Sequence, residues 1–185
     1  MQQKRIDKIT EALYTYSASV LKEGILQFTT IEELFELSLH THQRTAFRSA
    51  WALEHVLLGN NGNQLISDNA EKIIDIYVNS DNWSVLRSIS KVLIVLFKKS
   101  AINIRTEVHT EKILNKTFDC LENTNCPIAV RCNMYDIIYL FIDENDWLIS
   151  ELRHRIQLDI SINETPALKS RAKRILKKLE RIPKS

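Results

Sequence analysis

The nine residues Ser84-Val-Leu-Arg-Ser-Ile-Ser-Lys-Val92 set a pattern that returns three more times without gaps. Its counterparts are Thr45-Ala-Phe-Arg-Ser-Ala-Trp-Ala-Leu53, Ile128-Ala-Val-Arg-Cys-Asn-Met-Tyr-Asp136 and Pro166-Ala-Leu-Lys-Ser-Arg-Ala-Lys-Arg174. Each puts an apolar residue directly before a base: Phe47-Arg48, Leu86-Arg87, Val130-Arg131 and Leu168-Lys169. The four bases are spaced 39, 44 and 38 residues apart. A period near forty is the length of one two-helix repeat. A single such hairpin cannot bury its own apolar face, so hairpins of this kind stack on one another.

The helical period runs outward from each motif. After Arg87, the residues Ile89, Val92, Leu93, Leu96 and Phe97 fall on one face, and Arg87, Ser88, Lys91 and Lys98 fall on the other. After Arg131, Met134, Ile137, Ile138 and Phe141 repeat the stripe. An earlier amphipathic helix is expected before each one, at about 30–40, 67–79, 106–122 and 144–160. Thr165-Pro166 reads as an N-cap followed by proline in the first turn, and Cys126-Pro127 places a second proline similarly. Gly59-Asn-Asn-Gly62-Asn reads as the loop closing the first repeat, and Asp143-Glu-Asn-Asp146 as an acidic lead into the last. A helix over about 3–21, carrying Ile6, Ile9, Leu13, Tyr16 and Val20 and ending near Gly24, is expected to cap the stack at one end. The polar final helix would cap the other.

Composition agrees with helices joined by short polar turns. The 185 residues contain only three Gly and three Pro, too few for an all-β fold or a glycine-rich phosphate loop. No apolar run approaches the roughly 18 residues of a membrane span. Met1–Ile9 is charged and polar, unlike a signal peptide, so a cytoplasmic location is expected. Cys120, Cys126 and Cys132 are odd in number, sparse and without a CxxC spacing, and read as free structural thiols. The formal charge of +2 conceals an asymmetry: residues 151–185 hold ten Lys/Arg against four Asp/Glu, and the rest of the chain is mildly acidic.

Over about residues 25–182 the chain resembles HEAT-repeat proteins, whose second helix opens with an apolar-Arg pair followed by a helical apolar stripe. Ser84–Val92 is the best match, with Asp81 alone standing for the Asp that often precedes the pair in that family. The resemblance implies an all-α fold, a right-handed α-α superhelix of about four helical hairpins plus an N-terminal helix. Residues 1–185 would form one solenoid domain, with repeats at about 25–59, 63–99, 104–142 and 144–182.

No chemical motif accompanies this architecture. His40-Thr-His42 has no HExxH or Cys/His partners, and a metal site needs three or four converging ligands. The Gly59–Asn63 loop lacks the Gly-Lys-Ser/Thr ending of a phosphate cradle. Asp143–Asp146 fails as a calcium loop because Leu148 occupies the required glycine position. A lyase of the all-helical fumarase type would need a Ser-x-x-Met-Pro-x-Lys-x-Asn loop, and neither Met1 nor Met134 precedes a proline. No metal, cofactor or catalytic residue is therefore expected.

Function is expected to reside in a surface. The principal reading is a non-enzymatic protein-binding or scaffold module whose concave face is lined by the second helices. Offsets of i, i+3, i+4 and i+7 put Arg48, Trp51, His55, Arg87, Lys91, Arg131 and Tyr135 on that face. The repeated arginines also read as stack-holding residues, and Trp51, Trp83 and Trp147 as packing residues. A basic patch is expected on the last helix, at Lys169, Arg171, Lys173, Arg174, Lys177, Lys178 and Arg181, with Lys184 beyond it. That patch suits an acidic protein or nucleic-acid phosphates. Nucleic-acid binding is the second reading, and its enzymatic extreme resembles the HEAT-like alkylpurine DNA glycosylases, although no Asp here takes a catalytic role. An enzyme of another type is the third. No membrane partner is expected.

Overall fold

Thr30 shows how these helices begin. Its hydroxyl accepts the Glu33 amide, and the Glu33 carboxylate accepts the Thr30 amide, a reciprocal capping box that satisfies two N-terminal donors. Similar single caps at Thr106 and Thr165 open two later helices. The computed structural model describes residues 1–15, 17, 24–59, 62–99 and 106–182. Over these residues it is all-helical, with ten α-helices, two short 3-10 turns and no strand. Tyr16, Val20, the first positions of the repeat expected from 104, and Lys184 lie outside the described residues. The chain divides into two units, Met1–Ile104 and Arg105–Ser185.

The first unit holds α1 (Gln3–Thr15), α2 (Ile31–Ser38), α3 (Gln43–Leu57), α4 (Gly62–Asp68), α5 (Ala70–Asn79) and α6 (Trp83–Lys99). Helices α2 and α3 form one hairpin and α5 and α6 the next. The second helices, α3 and α6, lie side by side, and α2 packs beside α5. The register between α3 and α6 is visible in two bonds. Asn82 donates from Nδ2 to the Gln43 carbonyl at 3.0 Å, beside the two N-termini, and Lys91 pairs with Glu54 at 2.6 Å farther along. The helices therefore run parallel, offset by the 39-residue period of the motif, with Arg87 level with Arg48. Leu34, Leu53, Ile73, Tyr77, Leu93 and Phe97 fill the core between the layers. Each large side chain fully buried this way contributes about 1.5–3 kcal/mol. Helix α1 closes one side: Arg5 makes a two-bond fork with Glu33, and the Met1 amino group meets Glu36, both on α2.

The second unit holds α7 (Glu107–Glu122), α8 (Ile128–Leu140), α9 (Trp147–Ile162) and α10 (Pro166–Leu179). Here α8 is packed by α7, α9 and α10 together. Every residue from Val130 to Ile138 is buried, including Arg131, Asn133, Tyr135 and Asp136.

Two local expectations change. Gly62 does not belong to a loop but begins α4, and the single helix expected at 67–79 is two helices broken at Asn69. Gly62 is required by close approach, since a Cβ there would sit 1.8 Å from the Leu57 carbonyl oxygen. Pro166 occupies the first turn of α10 as expected, but Pro127 stands one step earlier, as the N-cap of α8.

Candidate functional site

In the first unit, the residues expected on an open face do come together. Arg48, Trp51 and His55 follow one another along α3, each part-exposed. The Trp51 and His55 rings meet edge-to-face with centroids 4.4 Å apart, and the Arg48 guanidinium lies 5.1 Å over the Trp51 ring. Arg87, exposed, and Lys91, part-exposed, continue the surface on the neighbouring α6. Arg48 has a structural task as well. Its Nε donates to the Leu13 carbonyl at 2.8 Å and its Nη2 reaches the same oxygen, so a base on α3 caps the last turn of α1. Burial pushes its guanidinium below the ordinary arginine value, with Arg44 adding to the effect. Lys91 likewise spends part of its charge on Glu54, whose side chain is mostly buried.

In the second unit, Arg131 and Tyr135 are not on an open face. Arg131 is 9% exposed and Tyr135 is 0% exposed. The Arg131 Nη1 donates to the Leu121 carbonyl at 2.9 Å and to Asp159 at 2.9 and 3.1 Å, and Nη2 donates to the Asn123 carbonyl at 3.0 Å. The Tyr135 hydroxyl donates to the same carboxylate, at Oδ2. One guanidinium thus ties the C-terminal turn of α7 to α9, and a phenol shares the anion. Burial, and then the Asp159 hydrogen bond, push the Tyr135 phenol above its usual range, so it stays protonated. Both residues are withdrawn from the expected binding face because α8 is covered on three sides.

The basic helix α10 is divided in two. Arg171, part-buried, and Arg174, itself exposed, converge on the buried Asp136 of α8, with Arg174 Nη2 at 2.9 and 3.0 Å from its two oxygens. The Lys178 ammonium lies 4.6 Å over the Tyr139 ring. Lys169, Lys173, Lys177 and Arg181 stay exposed along the other side, and Lys169 also pairs with Glu164 at 2.8 Å. The acidic partners Asp136, Asp159 and Glu54 carry no motif that marks them in the sequence. Their signal is a lone carboxylate within an apolar helical stripe, matched by a base about 28–38 residues away.

All three cysteines are free and buried, and burial pushes the Cys126 thiol up to about 12, far from a reactive thiolate. Among the described residues no three His, Cys, Asp or Glu side chains cluster as metal ligands, and no helix is long and apolar enough to cross a membrane. Trp147, expected in packing, is 53% exposed and stacks on Phe118 with centroids 5.7 Å apart.

A family model described as a HEAT repeat domain matches residues 6–179. The chain belongs to the HEAT repeat family. Its solved-structure likeness is to an engineered protein: TM-score 0.58, 15% identity, covering 95% of this chain and 81% of that one. At that identity the likeness concerns the fold alone. No curated protein matches the chain. The apolar-Arg pairs therefore belong to a HEAT architecture, and the structure shows Arg48 and Arg131 used to hold neighbouring helices together.

Proposed function

We propose that residues 1–185 act as a non-enzymatic HEAT module that binds another protein. HEAT hairpins stacked side by side present long helical surfaces, and such surfaces commonly hold macromolecules. The observation that carries the reading is the Trp51–His55 pair on α3, left part-exposed between Arg48 and the α6 bases Arg87 and Lys91. Trp and Arg in mutual contact at a surface are the residue types that dominate protein interfaces. The absence of a motif for catalysis in the sequence, together with the burial of every cysteine, supports binding over chemistry.

The test is affinity capture with wild type and with Trp51→Ala/Arg87→Glu, both verified by circular dichroism. Loss of the same captured protein from the variant supports the proposal, since truncating one central Trp commonly costs about 2 kcal/mol or more, near thirtyfold. Identical capture by both overturns it. Salt-sensitive binding to single- or double-stranded nucleic acid, lost in the same variant, would transfer the face to the second reading.

A further inference from the structure

We propose that the cleft between α9 and α10 is a docking site for a helical segment of a partner protein with carboxylates along one edge and aliphatic side chains beside them. The inference rests on the protein-binding reading but concerns a different surface. The cleft is open to solvent, spans about 470 Å³ and is lined by Ile160 of α9 and by Lys169, Lys173, Leu176, Lys177 and Glu180 on or just beyond α10. Its floor is apolar: Ile160 and Leu176 are part-exposed. Its wall is a ladder of ammonium groups. Lys169, Lys173 and Lys177 recur every fourth residue, which spaces them by about 6 Å along the helix axis. Partner carboxylates at the same i, i+4, i+8 spacing would meet them in register.

Two rungs of the ladder, Lys173 and Lys177, are a remainder, while Lys169 already pairs with Glu164. The other bases of α10 are already engaged on α8, where Asp136 takes Arg171 and Arg174 and Tyr139 takes Lys178. Among the described residues neither Lys173 nor Lys177 has a carboxylate within ion-pair distance. Charge complementarity therefore calls for an acidic occupant. One feature favours a protein segment over nucleic acid. Ile160 and Leu176 offer aliphatic contact, which answers to Leu or Ile on a helix and does nothing for a phosphate.

The probe is a labelled helical peptide of about twelve residues, with Glu at every fourth position and Leu beside each Glu, read by fluorescence anisotropy. Wild type should bind it, more weakly at about 300 mM salt than at about 50 mM. Lys173→Glu/Lys177→Glu should weaken binding about tenfold or more, since two attractive rim charges become repulsive. Leu176→Ala should weaken it about threefold, and replacing each peptide Leu by Ser should do the same. No binding by wild type, unchanged binding by Lys173→Glu/Lys177→Glu, or tighter binding of a single-stranded DNA of similar length overturns the inference. The two proposals fail separately. If Trp51→Ala/Arg87→Glu abolishes partner capture while the α10 variants leave the peptide unaffected, the module binds proteins but not through this cleft.

Discussion

Replacing Asp159 by Ala tests whether α8 is a buried core helix held by polar staples. Asp159 is 7% exposed, and its carboxylate receives bonds from Arg131 at 2.9 and 3.1 Å and from the Tyr135 hydroxyl. Removing it leaves a buried guanidinium without its counter-charge and a buried phenol without an acceptor. Breaking a buried ion pair from one side costs about 3–5 kcal/mol. Arg131 keeps the Leu121 and Asn123 carbonyls, which moves the expectation toward the lower end, to about 3 kcal/mol for the pair plus about 1 kcal/mol for the stranded hydroxyl. Urea unfolding followed by far-ultraviolet circular dichroism reads this directly. With a slope of about 1 kcal/mol per molar urea for a unit of this size, the midpoint should fall by about 4 M or the second unit should be unfolded at the outset. The triple variant Arg131→Met/Tyr135→Phe/Asp159→Leu removes all three polar groups. It should regain at least half of the loss, short of wild type because the two carbonyls lose their donor. A loss below about 1 kcal/mol for Asp159→Ala, or a triple variant as unstable as the single, would refute the reasoning.

Gly62→Ala should destabilise the first unit by more than about 2 kcal/mol in thermal or urea unfolding, because the new Cβ would lie 1.8 Å from a backbone oxygen that cannot move alone. Arg48→Met should release the Leu13 carbonyl and speed amide exchange across Gln3–Thr15, while α5 and α6 keep their protection. Glu33 gives the first unit an acid-sensitive clasp. The Arg5 guanidinium, with the Thr30 amide and Thr29 hydroxyl, holds its carboxyl down at about 2. A folded-state pKa below the unfolded value stabilises above the ordinary carboxylate range and fades as pH falls toward 2. Wild type should therefore lose stability across that window relative to Glu33→Gln, with the difference flat near neutrality; a constant difference would contradict the assignment.

The hairpins were legible because their signals are local. Apolar residues at helical spacing and the Thr165 cap act within one repeat, and the 39-residue recurrence reappears as the Asn82–Gln43 bond. The expected lining residues separated for a non-local reason. Arg48, Trp51 and His55 keep a part-exposed side, although α1 meets α3 through the Leu13 carbonyl and the Tyr14 hydroxyl. Arg131 and Tyr135 lost theirs because α7, α9 and α10 all pack against α8. A polar residue in an amphipathic stripe reads as solvent-facing unless its partner is known, and Asp159 lies 28 residues beyond Arg131. The same blindness hid the division of α10, since Arg171 and Lys173 look alike until Asp136 takes one of them. At Gly62 a glycine that reads as a loop marks a tight approach to Leu57 instead.

The most direct test of the central claim is the footprint of a captured partner protein on the isotopically labelled chain by nuclear magnetic resonance. Shifts are expected at the Trp51 indole, His55, Arg87 and Lys91, with the α2–α5 layer undisturbed. A footprint confined to α2 and α5, with the Trp51 indole unmoved, would contradict it.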